Sequence, residues 1–291
     1  MPASANTPAF VIEAFKPAAA LADCITDIWL WELPQHDAGS ERPTLTLLPD
    51  GHPTLVLVYG DPLIASFGSR SITTRSAVCG FQLQPVQVSC AGRAAGITVR
   101  LRPWALPCFV PMPMPELVDC RVDLRDALQR QIVADLEHAL AMLPTGLARV
   151  RRVEQFLMGL RRAAGAPALV EHAVRRLTHA QEMARIGVLA RELGATERTL
   201  ERHFQQAVGV GPKAFARVMR LQSVLAQSAG PQSWTERALD AGYFDQAHLI
   251  RECRALFDKV PSFLAQPPRE VIARDFDALA RQTALPAKLF L

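Results

Sequence analysis

The sequence predicts an α+β multidomain chain, an N-terminal antiparallel β-barrel with flanking helices followed by an all-α unit. Three observations predict it. Between Leu45 and Leu106 the short segments TLVLVYG, LIASFG, SAVCGFQL, VQVSCAG and GITVRLR are separated by Pro, Gly and Asp turns, the pattern of an antiparallel sheet or small barrel. From 123 the period changes, with Leu124, Leu128, Ile132, Leu136 and Leu140 recurring every four residues, so one amphipathic helix is expected over 123–143. Beyond Pro167 almost everything is helical, and one pattern occurs there twice.

Length and charge agree with a division of this kind. The chain has 291 residues, 49% hydrophobic and 21% charged, enough for more than one core. Its net charge of +4 is unevenly spread: residues 1–143 stand at −4 and residues 144–291 at +8. An acidic module therefore precedes one suited to approach phosphates. Pro144-Thr145-Gly146 stops the first helix, the basic stretch RVRRVEQFLMGLRRA follows, and Gly165-Ala166-Pro167 breaks the chain again. These breaks divide it into 1–143, a helical linker 144–167, a helical domain 168–268 expected to fold alone, and a tail 269–291. There is no leader pattern and no apolar run of the roughly 18 to 20 residues that span a bilayer, so a cytoplasmic protein without membrane partners is expected. The six cysteines (Cys24, Cys79, Cys90, Cys108, Cys120, Cys253) form no C-x-x-C pair and no zinc pattern. They read as reduced thiols, with Cys79 and Cys90 one redox pairing left open.

The repeat carries the chemistry. In IGVLARELGATERTLERHF, a short helix with Leu189, Ala190 and Leu193 inward meets Gly194, and Thr196 can cap a second helix. Glycine supplies the positive-φ turn, and small Ala190 lets the two helices cross closely. In WTERALDAGYFDQAHLIREC, Ala238 and Gly242 lie 48 residues after Ala190 and Gly194, whereas Leu249, Arg251 and Cys253 lie 49 after Leu200, Arg202 and Phe204. The added residue lengthens the second turn and makes Asp245 its cap. Pro212 and Pro261 are again 49 apart, and a helix opening at Pro212 buries Phe215, Val218, Leu221 and Leu225. A lone Ala-x-x-x-Gly describes any helical hairpin. Two copies sharing Leu-x-Arg and a later Pro describe tandem helix-turn-helix units.

On these residues, and most specifically on Gly242-Tyr243-Phe244-Asp245-Gln246 followed by Leu249 and Arg251, the segment from about 169 to 265 resembles the DNA-binding domain of the AraC/XylS regulators. Cys253 stands where that family usually has Phe, and Asp258 where the first copy has Gly209. The resemblance implies two units joined by a long central helix, each placing its second helix in the major groove of double-stranded DNA. By position the base-contacting residues are Arg198, Glu201 and Arg202, then Gln246, His248, Ile250 and Arg251. Arg can fork onto guanine, Gln can pair with adenine, and Ile can meet a thymine methyl. Thr196, Lys213, Arg217 and Asp245 are placed at the phosphate backbone. With an excess of only +3 over 168–268, a moderate salt dependence is expected.

The stretches LTLLPDGHPTLVLVYG, GFQLQP and GITVRLRPWAL make residues 20–125 resemble the cupin-like sensory domains that precede this DNA-binding unit in one AraC-type subgroup. Pro103-Trp104-Ala105 stands where Pro-Gly-Ala is frequent. The resemblance implies a small-molecule effector, with Trp29, Trp31, Phe67, Phe81 and Trp104 as candidates to line its pocket. It also implies homodimerisation along 124–143 or 150–163, and RNA polymerase as a partner if the protein is an activator. No cofactor, metal or catalytic group is expected: His36, His52 and His138 form no His-x-His, and nucleophile-elbow, phosphate-loop and dinucleotide motifs are missing. Two alternatives stay open, a metal-dependent cupin enzyme with a helical appendage and a constitutive DNA-binding protein without effector.

Overall fold

The computed structural model describes residues 11–32, 44–90, 92–162, 167–178, 185–226 and 232–264. Two antiparallel sheets face one another in its first half. One has the strand order β1 (Val11–Phe15), β2 (Ile25–Glu32), β9 (Ala95–Leu101), β4 (Thr54–Val58), β7 (Ala77–Cys79), β10 (Arg121–Asp123), and the other β3 (Thr44–Leu47), β8 (Val86–Cys90), β5 (Leu63–Phe67), β6 (Arg70–Thr74). They form an open, jelly-roll-like version of the expected cupin-like barrel. Strand alternation sends Trp29, Trp31, Val56 and Val58 toward Leu45, Leu63 and Cys90 of the second sheet. The opposite face, with Ile28, Leu30, Leu55, Leu57, Ile97 and Val99, packs among the helices. Covered on both sides, β2 is buried almost throughout.

The helix expected over 123–143 is two helices, α1 (Leu124–Ala127) and α2 (Arg130–Met142), because Leu128 is extended at φ −131° and ψ 177°. Helix α1 leaves β10 directly and packs on β7, whereas α2 packs on α3 (Gly146–Leu160). A straight helix could not meet both surfaces. An ion pair between Arg125 and the buried Glu137 spans the break. At the far end of the sheet Glu32 receives hydrogen bonds from the Tyr59 hydroxyl (2.8 Å), Arg93 (3.0 Å) and Arg149 of α3 (3.2 Å), which fastens α3 to β2.

The second half contains α4 (Ala168–Thr178), α5 (Ile186–Glu192), α6 (Glu197–Val208), α7 (Pro212–Ala226), α8 (Trp234–Asp240), α9 (Gln246–Phe257) and α10 (Pro261–Leu264). The expected stripe Val170, Ala173, Val174, Leu177 is buried, as are Phe215, Val218, Leu221 and Leu225. Residues 165 and 166 of the expected break, His36 and the segment 269–291 lie outside the described residues. The helices share one apolar core with the sheet module. The Phe215 ring stands 5.7 Å from Phe81 and 5.5 Å from Phe204. Gln222 Nε2 donates to the Pro49 carbonyl at 2.6 Å. A Cβ on Gly51, whose φ is +84°, would lie 2.6 Å from the Met219 sulfur. Helix α6 itself rests on the helical turn Met114–Leu117.

All six cysteines are free. Cys90 donates to the carbonyls of Asp61 and Pro62, and Cys79 lies beside Arg121, so these two are not bonded to each other. The thiols that do meet are those of buried Cys24 and Cys108, whose hydrogen bond holds Cys24 well above its ordinary pKa.

Candidate nucleic-acid interface

Both units are closed by the same turn. Gly194 N–H bonds Arg191 O at 3.0 Å and Ala195 N–H bonds Ala190 O at 2.9 Å; 48 residues on, Gly242 bonds Leu239 at 2.9 Å and Tyr243 bonds Ala238 at 2.8 Å. This is the paired-bond termination that requires a left-handed residue, and Gly194 and Gly242 supply it at φ +70° and +74°. Ala190 and Ala238 are fully buried at the crossings. Each second helix then starts on a side-chain cap: Thr196 Oγ1 accepts from Thr199 N at 3.1 Å, and Asp245 Oδ1 from His248 N at 2.6 Å. Helix α8 has a capping box of Ser233 and Glu236 in addition. The residue added in the second turn is Phe244, whose ring is 85% exposed.

Along α6, Leu200 and Phe204 face inward and Arg198, Glu201 and Arg202 share the opposite face, with both arginines exposed. Along α9, Leu249 and Cys253 are buried, Gln246 and Ile250 are half-buried one turn apart, and Arg251 is exposed. Cys253 occupies the inward position of Phe204, and burial pushes its thiol up to about 12. Asp258 takes the left-handed helix end, φ 55°, that Gly209 takes at +96°.

Several candidate side chains are already engaged. Gln246 Oε1 accepts from Thr235 Oγ1 at 3.0 Å, which orients its amide. The His248 ring packs edge-on against Tyr243 at 5.2 Å. Arg217 binds Glu252 of α9 through Nε (3.0 Å) and Nη2 (3.0 Å), while Arg220 lies 4.3 Å over the Tyr243 ring. Lys213 lies 3.5 Å from Glu197. Asp245 spends its carboxylate on the cap. Thr235 and Glu252, which fix where Gln246 and α9 sit, carried no signal in the sequence because their partners are brought by the tertiary fold.

The five aromatic candidates of the sheet module do not line one space. Trp29 and Trp31 lie between the sheets, Phe81 and Trp104 are buried on the helix side, and Phe67 is half-buried at the end of β5. Between the sheets, Arg100 is 2% exposed and pairs with both Asp27 (2.9 Å) and Asp50 (2.7 Å), with Trp29 5.2 Å away over the guanidinium. Burial pushes Asp27 up to about 6 against the pull of Arg100. Burial and then Arg100 lower His52 to about 4, and its Nδ1 bonds the Leu101 carbonyl at 2.8 Å. No group of three or more His, Cys, Asp and Glu among the described residues is placed to hold a metal, and no described helix is long and apolar enough to cross a membrane.

Tandem capped helix pairs, each presenting an exposed arginine on its second helix, define a double helix-turn-helix unit. Comparison with known proteins agrees: residues 189–266 match the helix-turn-helix domain family, and residues 13–123 match a domain of unknown function (DUF6597). The two matches fall on the two halves of the fold, the first on both helix-turn-helix units and the second on the sheet module. No curated protein matches it. Among solved structures it is similar to ToxT from Vibrio cholerae, at 8% identity over 87% of this chain and 97% of that one with a TM-score of 0.43. It is similar also to unsaturated fatty acid-bound ToxT of the same organism, at 9% identity over 89% and 96% with a TM-score of 0.42. A third similarity is to a probable AraC family transcriptional regulator from Rhodopseudomonas palustris, at 28% identity over 35% and 94% with a TM-score of 0.28.

Proposed function

We propose that this protein is a transcription regulator of the AraC type that binds a bipartite operator with α6 and α9 in successive major grooves, and that a small-molecule effector held between the sheets controls the binding. The observation that carries the reading is the duplicated unit, which repeats turn bonds, caps and an exposed arginine at matching positions, Arg202 and Arg251. Arg198, Glu201 and Arg202 read one half-site, and Gln246, Ile250 and Arg251 the other. His248, held against Tyr243, reaches a base only through its exposed edge. Thr196 and Lys213 meet phosphates, Lys213 exchanging Glu197 for DNA; Arg217 positions α9 through Glu252, and Asp245 through its cap.

Control by an effector follows from the contact of the sheet module with α6 and α7. A ligand changes operator affinity only if it favours one arrangement of that contact, and operator DNA then changes ligand affinity by the same factor. Activation of transcription would add RNA polymerase as a partner, and self-association through α2 or α3 would pair two copies on DNA. The reading makes the protein a regulator without catalytic groups acting in the cytoplasm. Selecting bound DNA from a random pool with the full chain tests it: a motif with two specified segments is expected, and recovery of unrelated sequences overturns it.

A further inference from the structure

The register across the six-stranded sheet places Asp27, Arg100, Thr54, Cys79 and Arg121 opposite one another on the inner face, strand by strand. Two guanidinium groups therefore lie between the sheets, and they are not alike. Arg100 has two carboxylates. Arg121, 7% exposed, donates Nε to Thr74 Oγ1 of the second sheet at 2.9 Å and points Nη1 at Cys79 Sγ at 3.8 Å. Its Nη2 is buried without a hydrogen-bond partner, and no carboxylate among the described residues pairs with it. The acid on its own strand, Asp123, caps α1 by accepting from Arg125 N at 2.8 Å.

A buried cation without an anion is costly, and arginine cannot escape by losing its proton. We propose that Arg121 is the anchor of the effector site, and that the effector is a small organic carboxylate. The reasoning is one of charge and surroundings. Asp27 and Asp50 are both taken by Arg100, so the charge beside Arg121 is locally uncompensated; a monoanion matches it one to one, whereas a dianion such as a phosphate monoester would bring a second, unmatched negative charge. Guanidinium and carboxylate fit one another, and the nearby wall is apolar, built from Val56, Leu63, Ala77 and Cys90, with Trp29 beyond. The carboxylate pairs with Nη2, and the organic part lies along that wall. This proposal rests on the effector reading above and names the chemistry of its site.

Melting of the full chain provides the test, with benzoate and octanoate as probes and benzamide and octanamide as neutral controls. The carboxylates are expected to raise the melting temperature saturably, with half-saturation at least tenfold below that of the amides. Arg121→Gln should abolish the response and Arg121→Lys should keep part of it. Without any probe, Arg121→Met should melt at or above the wild-type temperature, because it removes an uncompensated charge, whereas Arg100→Met should melt well below it. Equal responses to acid and amide, no response to either acid, or an Arg121→Met variant as unstable as Arg100→Met would each overturn the assignment. Operator binding separates the two levels: carboxylate binding that needs Arg121 but leaves DNA affinity unchanged refutes effector control alone. An effect on DNA affinity from a neutral molecule, indifferent to Arg121, refutes the carboxylate site alone.

Discussion

At the scale of single residues, specificity and ionisation separate cleanly. Arg202 and Arg251 are exposed at matching places on α6 and α9, so Arg202→Ala and Arg251→Ala should each cost about 1–3 kcal/mol on the selected operator and far less on unrelated DNA. Equal losses on both DNAs, read in binding titrations, would make them phosphate contacts. Lys213→Ala is the contrast, weakening all sequences and lowering the salt slope by about one unit. Within the sheets, Asp27 binds its proton more tightly folded than unfolded, so the native state holds the extra proton between about pH 4 and 6 and stability is lost as pH rises through that window. His52 acts oppositely, since the unfolded chain protonates first and stability is lost as pH falls from about 6.5 to 4. Asp27→Asn removes only the first effect. Relative to wild type it should gain up to about 3 kcal/mol between pH 4 and pH 7.5 in denaturant titrations; parallel curves would refute the cause.

At the scale of elements, the second recognition helix depends on a partly buried ion pair. Glu252 receives Arg217 from the central helix and lies 3.9 Å from Arg220. Glu252→Gln should lower stability by about 1–3 kcal/mol and loosen α9, weakening contacts to its half-site while those of α6 persist. An unchanged pattern of base contacts in methylation interference would show that the pair does not position α9. What was legible in the sequence follows the same physics. The helix-turn-helix turns were legible because a left-handed position demands glycine, and Gly194 and Gly242 stand where the inward leucines stop. Strands β4, β5, β7, β8 and β9 were legible because turn residues bound them. Strand β2 was not, because burial on both faces erased its alternation, and β1, β6 and β10 were too short or too peripheral to signal. The break at Leu128 was hidden because a four-residue leucine period runs across it, and only the packing of α1 on β7 shows why the chain must bend. Thr235 and Glu252 were invisible for a similar reason: each matters through a partner on another helix.

At the scale of the whole molecule, the sequence implied that Phe215 is buried but not against what. Its neighbours Phe204 and Phe81 belong to the first helix-turn-helix unit and to the sheet module, so one aromatic cluster joins the two. Gly51 sits at this seam with Met219 against it. Gly51→Ala would force a left-handed alanine costing about 1–2 kcal/mol and push on the central helix. It should lower the melting temperature and shift operator affinity severalfold, although it lies in the sheet module; unchanged affinity in a destabilised variant would make the seam passive packing. The claim on which the rest depends is that two units read two segments of one site. Hydroxyl-radical footprinting of the full chain on its selected operator tests it most directly. Two protected segments about 10–11 base pairs apart on one face of the duplex are expected, one lost in Arg202→Ala and the other in Arg251→Ala. A single uninterrupted segment of about four or five base pairs, or the same segment lost in both variants, would contradict it.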